Sequence, residues 1–200
     1  MGQIIVSLNV TLDGVAQDPT GEEGFRHGGW FEQMSGWDRA AWATAGLDEA
    51  LAAEALLLGR RSDAWFAARW TERTGDWAAR LNTMPKYVVS SSLLEPDWNN
   101  SKVLNGDVVT EVSGLKQDLD GEILVIGSIQ LARSLMEHGL VDELRLIVHP
   151  FVLGAGDRVF DRSEKTSLRL VESRVLGESL AFVRYEVVRD LPTGTRRPGM

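Results

Sequence analysis

Three segments of the sequence join a short apolar run to small, hydroxylated or basic residues that could hold phosphate groups. A helix N-terminus favours an anion, and an arginine guanidinium offers bidentate hydrogen bonds to phosphate. Each segment alone is equally typical of a turn and helix cap, but parallel strands bring their carboxyl ends to one crevice, where α/β proteins bind ligands. Together they predict a dinucleotide site, with Gly59, Arg60, Arg61 and Ser62 after residues 56–58, Ser90, Ser91 and Ser92 after residues 87–89, and Gly127 and Ser128 after residues 123–126.

A further segment, GFRHGGWF at residues 24–31, could cover a planar ligand. It combines two adjacent glycines with the rings of Trp30 and Phe31, which suits a loop that closes over a flat molecule. Packing of these rings in the core is the alternative. We therefore take Trp30 and Phe31 as candidate substrate-binding residues.

The composition excludes several classes of function. The 21 basic and 29 acidic residues give a net charge of −8, which argues against nucleic-acid binding. There is no cysteine, so disulfide scaffolds and cysteine-based zinc sites are excluded, and the default compartment is the cytoplasm. His27, His138 and His149 are too scattered to predict a metal site. No apolar run approaches the ~20 residues of a membrane span.

Strands that alternate with helices must position these segments. Short apolar runs indicate buried strands, and the stretches between them are long enough for crossover helices. This alternation predicts a mainly parallel sheet with helices on both faces. The last two runs, residues 168–176 and 180–188, predict an antiparallel hairpin at the sheet edge. We predict one α/β domain over residues 1–190 and a flexible tail over 191–200, with helices at 47–53, from Ser62, at 76–81, from Thr110 and from Ser128 to Gly139.

Four motifs resemble the dihydrofolate-reductase-like family, specifically stand-alone relatives of the reductase domain of bacterial riboflavin biosynthesis. They are TLDGVAQ, LLLGRRS, PKYVVSSSL and IGSIQLARSLMEHGLVDELRLIVHPFVLGAGDRVF, and the resemblance spans residues 3–188 in the family's order. It implies a three-layer α/β fold, a homodimer, and an NADPH-dependent reductase similar to 5-amino-6-(5-phosphoribosylamino)uracil reductase. A dihydrofolate or pterin-type reductase and a non-catalytic nucleotide-binding protein on the same fold are the alternatives.

The resemblance also implies roles for individual residues. The segment from Gly59 to Ser62 would hold cofactor phosphates, with an arginine near the 2′-phosphate, while the three serines would line the adenosine side. Gly127, Ser128, Ile129 and Gln130 would meet the pyrophosphate. Val10, Asp13 and Gly14 would lie near the nicotinamide and the small-molecule substrate, so Asp13 is the candidate catalytic acid, with a turn role and protonation by water as alternatives.

Overall fold

Eight β-strands form one mostly parallel sheet in the computed structural model, which describes residues 1–160 and 165–189. The strand order across the sheet is β4-β3-β2-β5-β1-β6-β8-β7, and only the pairs β6–β8 and β8–β7 are antiparallel. The strands are β1 Gln3–Thr11, β2 Ala53–Gly59, β3 Lys86–Val89, β4 Ser101–Leu104, β5 Glu122–Ile126, β6 Glu143–His149, β7 Ser167–Leu176 and β8 Leu180–Val188.

Five α-helices cover both faces of this sheet in the described residues. They are α1 Gly36–Ala52, α2 Arg60–Trp70, α3 Asp76–Thr83, α4 Val108–Asp118 and α5 Ile129–Glu137, and a short 3-10 turn at Trp30–Gln33 precedes α1. Helices α4 and α5 share one apolar core with the sheet, and α1, α2 and α3 share the other. None of the helices in the described part of the chain has the length and apolar character needed to cross a bilayer.

The central strand β1 shows why the layers form. Successive side chains of a strand point to opposite faces, so Ile4 and Val6 join the core under α4 and α5 while Ile5 joins the core under α1 to α3. Strand β1 is almost wholly buried because both faces are covered and both edges are paired, with β5 and β6. A continuous apolar run is the expected sequence of such a strand.

Asp38 of α1 fixes the turn between β7 and β8. Its carboxylate accepts the N–H groups of Glu178 and Ser179 at 2.7 and 3.0 Å and the Ser179 hydroxyl at 2.6 Å. These hydrogen bonds hold the pKa of Asp38 at about 2, with the Ser179 hydroxyl contributing most. Gly177 begins the turn at φ +65°, and a Cβ there would lie 2.5 Å from the Asp38 carboxylate. The hairpin is therefore attached to α1 as well as to β6.

The predicted fold class is confirmed: the chain is an α/β protein with a mainly parallel sheet, helices on both faces and a C-terminal antiparallel hairpin. Some boundaries were wrong. Helix α2 begins at Arg60 rather than Ser62, α4 begins at Val108 rather than Thr110, and the predicted helix at 47–53 is only the end of α1. Strand β4 was not predicted. The predicted tail at 191–200 lies outside the described residues, and the single domain stays a prediction.

Candidate functional site

The junctions β2–α2 and β5–α5 meet at the carboxyl edge of the sheet, as the sequence predicted. The Ser128 hydroxyl oxygen accepts the Gly59 N–H at 3.1 Å and donates its own proton to the Ile126 carbonyl at 3.0 Å. In the other direction, the Ser62 hydroxyl donates to the Gly127 carbonyl at 2.9 Å. These side chains join two adjacent strand ends and do not cap their own helices.

The start of each of these two helices is open to a ligand. Neither α2 nor α5 has a side-chain cap, so the first-turn N–H groups keep their capacity to bind an anion. A Cβ at Gly59 would find no atom closer than 3.9 Å, which leaves room for a ligand to approach the backbone. Gly127 has φ +59°, and a Cβ there would lie 3.2 Å from the Phe66 ring, so glycine suits this turn. We call these two helix starts, with Gly59 and Gly127 before them, the cradle; their first-turn N–H groups suit an anion.

Two cations flank the cradle. Arg60 and Arg61 occupy the first turn of α2 and are exposed. One guanidinium nitrogen of Arg60 donates to the Ser92 hydroxyl at 3.4 Å, which connects the β2–α2 junction to the loop after β3. In that loop the Ser90 hydroxyl accepts the N–H groups of Ser92 and Leu93, so Ser90 shapes the turn while Ser91 lies exposed. The Arg61 side chain forms no ion pair or hydrogen bond with any described residue.

Asp13 has a structural role that does not suit a catalytic acid. Its carboxylate accepts the Thr11 hydroxyl at 2.7 Å and the N–H groups of Leu153 and Gly154 at 3.2 and 2.9 Å. These hydrogen bonds, the Thr11 hydroxyl first, hold its pKa at about 2, and the Arg158 guanidinium lies 3.5 Å away. Asp13 is therefore ionised at neutral pH and has no proton to give, so the turn interpretation fits and the expectation of a proton donor does not.

Val10 and Gly14, the other residues expected near the nicotinamide, differ in their access to a ligand. The Val10 side chain is 3% exposed and lies in the core shared with α5. Gly14 has φ +79° in the turn after β1, and a Cβ there would meet open space. A ligand can approach Gly14 but not the Val10 side chain.

Trp30 lies in the interior and Phe31 at its border. The Trp30 side chain is 0% exposed, its indole N–H donates to the Gln17 carbonyl at 3.1 Å, and its ring packs 4.8 Å from that of His149. A stacking role for Trp30 on a substrate does not fit this burial, because no face of the ring is free. Phe31 is half-buried and stacks on His149 with 5.2 Å between ring centroids, so part of its side chain remains accessible.

The loop over residues 12–29 is folded back onto α2. Buried Asp18 organises it by accepting the N–H groups of Glu23 and Phe25, both at 3.1 Å. The Glu22 carboxylate accepts the Trp65 indole N–H at 2.8 Å and forms an ion pair with Arg69. The hydrogen bond from Arg69 is the main reason that the pKa of Glu22 is lowered. The loop thus joins the turn after β1 to the helix that begins at the cradle.

A polar cluster that sequence reasoning missed lies beside this loop. The Asn9 amide oxygen accepts the Trp42 indole N–H at 2.9 Å and lies 3.1 Å from His149 Nε2. Burial lowers the pKa of His149 to about 4, so the ring is neutral at physiological pH. The signal in the sequence was a lone amide within an apolar strand. Among the described residues no three acidic or histidine side chains gather as a metal site.

A protein-family model matches most of the chain. The RibD C-terminal domain model matches residues 3–182. The chain belongs to the RibD C-terminal domain family. This match confirms the sequence-based assignment to relatives of the riboflavin-biosynthesis reductase.

Relatives of this RibD C-terminal domain include the uncharacterized protein YyaP of Bacillus subtilis (strain 168). The two are 30% identical over 189 residues, which cover 92% of this chain and 94% of YyaP. A putative riboflavin biosynthesis protein from Shewanella sp. PV-4 has a similar solved structure, with a TM-score of 0.74 and 19% identity over 94% of this chain and 99% of that one.

A longer solved structure contains the same fold. The diaminohydroxyphosphoribosylaminopyrimidine deaminase/5-amino-6-(5-phosphoribosylamino)uracil reductase of Thermotoga maritima matches with a TM-score of 0.61 and 15% identity. The match covers 94% of this chain and 57% of the Thermotoga chain. The RibD C-terminal domain family is of the riboflavin-biosynthesis reductase type, and the chain has the fold of that reductase.

Proposed function

We propose that the chain is an NADPH-dependent reductase that delivers hydride to a C=N or C=O bond of a heterocyclic or opened-sugar substrate. The observation that carries the proposal is the cradle: two uncapped helix starts, joined by the Ser128 to Gly59 hydrogen bond, with two exposed arginines beside them. Family membership supports a reductase independently of this geometry.

Different residues in and around the cradle would bind different parts of the cofactor. Gly127, Ser128, Ile129 and Gln130 would meet the pyrophosphate at the start of α5, and the Ser90 to Ser92 loop would line the adenosine side. Arg60 and Arg61 would hold the 2′-phosphate, since a chain of net charge −8 needs local cations to attract that group. When bound, NADPH supplies the hydride.

The other residues orient the reactants and exclude water. The loop over residues 12–29 closes one side of the crevice through Glu22 and Arg69, and Phe31 borders the space beneath it. Asp13 holds the turn by which this loop leaves β1. Because the Asp13 carboxylate has no proton to give at neutral pH, the substrate takes its proton from water in this proposal.

Titration with NADPH tests the proposal directly. We expect quenching of tryptophan fluorescence on addition of NADPH, because the loop that borders the crevice contacts Trp65. Oxidation of the bound cofactor is then followed by the absorbance of reduced nicotinamide with uracil-type, pterin and quinone acceptors. A chain that shows no binding of NADPH at any concentration up to the millimolar range contradicts the proposal.

A nucleotide-binding protein without catalysis is the second candidate, and Asp13 is the observation that favours it. The sole acid that sequence analysis placed near the nicotinamide is bound to two backbone N–H groups and a hydroxyl. Binding of NADPH with no oxidation by any acceptor class would support this candidate, whereas turnover of a pterin alone would support the pterin-type reductase.

A further inference from the structure

Asn9 lies in β1 at a position where the sheet opens. Ser7 is the last β1 residue paired with β5, opposite Ile126, so Asn9 lies beyond the end of β5 and beside the Gly127 turn. On its other edge β1 continues to pair with β6, where Asn9 lies opposite Ile147. Asn9 is partly exposed within a strand that is otherwise buried from Ile4 to Thr11. It is therefore a partly exposed polar side chain in the gap beyond the end of β5, where the proposed crevice lies.

Two ring N–H groups fix the orientation of the Asn9 amide. An indole nitrogen can only donate, so the atom 2.9 Å from Trp42 Nε1 must be the amide oxygen. The same oxygen lies 3.1 Å from His149 Nε2, which places the proton of the neutral imidazole on Nε2. The His149 Nδ1 atom is then a buried acceptor without a partner among the described residues. With its oxygen held twice, the amide cannot turn over without placing donor against donor.

The consequence is that Nδ2 of Asn9 is directed away from these rings. It forms no hydrogen bond to any described residue, so it offers two N–H donors at the crevice. The half-buried Phe31 ring packs against both rings that hold the amide oxygen, with its centroid 5.4 Å from that of Trp42 and 5.2 Å from that of His149. This combination of a fixed donor pair and apolar ring surface suits a planar ring that carries a hydrogen-bond acceptor.

We propose that Asn9 is a specificity-determining residue that donates from Nδ2 to a carbonyl oxygen of a planar heterocyclic substrate. The inference rests on the proposed function, since it assumes that the crevice is the reductase site. Trp42 and His149 are positioning residues, which hold the amide without touching the substrate. A site built to donate a hydrogen bond rejects an analogue that lacks the acceptor, because the donor is then left unpaired.

A pair of ring compounds and one isosteric variant test the proposal. The probes are 5,6-diaminouracil, which carries ring carbonyls, and 1,2-diaminobenzene, which keeps the flat ring and both amines but has none. Asn9→Asp keeps the shape and both acceptor contacts, but it replaces the NH2 donor by a second oxygen. Binding of both probes is measured by calorimetry without cofactor, and binding of NADPH is measured separately. Asn105→Asp makes the same chemical change at an exposed site with no hydrogen bond, and is the matched control.

We expect the parent to bind 5,6-diaminouracil at least about tenfold more tightly than 1,2-diaminobenzene, and Asn9→Asp to abolish that preference. The NADPH dissociation constant should change by less than about twofold, and Asn105→Asp should match the parent. Trp42→Phe removes one N–H and frees the amide to turn, so it should lose part of the preference.

Three results would overturn the inference. They are a parent with no preference for the carbonyl probe, an Asn9→Asp variant that keeps the preference, and an Asn9→Asp variant that weakens NADPH as much as the probe. Failure of the proposed function gives a different pattern, namely no NADPH binding by the parent while the preference for the carbonyl probe persists. Because the probe measurement needs no cofactor, the two failures are distinguishable.

Discussion

The Ser128 hydroxyl accepts the N–H of Gly59 at 3.1 Å, so a side chain at the start of α5 completes the backbone at the end of β2. Ser128→Ala should leave this N–H without its partner and cost about 1–2 kcal/mol of unfolding free energy. Loosening of the two helix starts should weaken NADPH by about tenfold, since 1.4 kcal/mol corresponds to that factor. Denaturant unfolding and NADPH titration measure both effects. Ser134→Ala on the same helix is the control, because its hydroxyl bonds to no described residue; equal losses in both variants would contradict the prediction.

Arg60→Ala and Arg61→Ala should weaken the binding of NADPH more than the binding of NADH. A charged hydrogen bond contributes about 1.5–3 kcal/mol, so loss of the arginine that meets the 2′-phosphate should weaken NADPH by about tenfold to a hundredfold and leave NADH nearly unchanged. Arg61 forms no ion pair or hydrogen bond with the residues that the structure describes, whereas Arg60 donates to the Ser92 hydroxyl. The dissociation constants of both cofactors at fixed salt provide the measurement. Arg73→Ala removes the same charge from an exposed position after the end of α2 and is the control. Equal losses of NADPH and NADH affinity would indicate that Arg60 and Arg61 contact the pyrophosphate instead.

Asp13→Asn should destabilise the fold in a pH-dependent way. The pKa of Asp13 is lowered from 3.8 to about 2, so its carboxylate stabilises the folded state fully above pH 4 and loses this effect as the pH falls toward 2. After allowance for solvent screening we expect about 1–2 kcal/mol at neutral pH. Urea unfolding at several pH values should show the gap between parent and variant closing on acidification. Exposed Asp48→Asn is the control. A gap that stays constant from pH 6 to pH 2 would argue against this role.

Trp30→Ala should act on stability rather than on ligand binding. Removal of a fully buried indole costs about 3–5 kcal/mol, and the Gln17 carbonyl loses its donor as well. Trp37, which is 73% exposed, provides the matched control, and Trp37→Ala should change the unfolding free energy by less than about 0.5 kcal/mol. Thermal unfolding compares the two variants. A Trp30→Ala protein as stable as the parent but poor in substrate binding would restore the interpretation of Trp30 as a substrate-covering residue.

We also propose that the chain forms a homodimer through strand β7. This strand is the edge of the sheet, and Leu168, Leu170, Val171 and Val175 are exposed along it. Light scattering should give twice the chain mass of 22.1 kDa, and Val175→Lys should shift it toward the monomer because a charge then lies in the interface. Leu94→Lys, at a residue 92% exposed and outside β7, should leave the mass unchanged. A parent that is monomeric at micromolar concentration rules this out.

The strand and helix pattern was readable from the sequence where apolar residues repeat regularly. Helix α5 was predicted from its apolar spacing between Ser128 and Gly139, and Gly139 does adopt φ +65° at its end. The start of α1 was missed because its first turn is polar except for Trp37, which faces solvent. Strand β4 has four residues and includes an exposed lysine, so no run marked it.

The candidate site was predictable as a location but not as a set of bonds. Glycines and serines after apolar runs indicated the cradle, because parallel strands end together. Nothing local shows that the Asp13 carboxylate is bound by the N–H groups of Leu153 and Gly154, some 140 positions away in the chain. The same distance separates Asn9 from His149. Such pairs form only when the whole sheet is assembled, so the type of a residue does not reveal whether its polar atoms are free.

The central place of β1 has a consequence for how the protein is made. Its apolar residues are synthesised long before those of its pairing partners β5 and β6, which end at Ile126 and His149. At typical rates of synthesis, His149 follows Thr11 by on the order of ten seconds. During that interval the nascent chain carries β1 as an unpaired, strongly apolar strand, which is the kind of segment that chaperones bind. Among the described strands, β1 is thus the one that waits longest for its native neighbours.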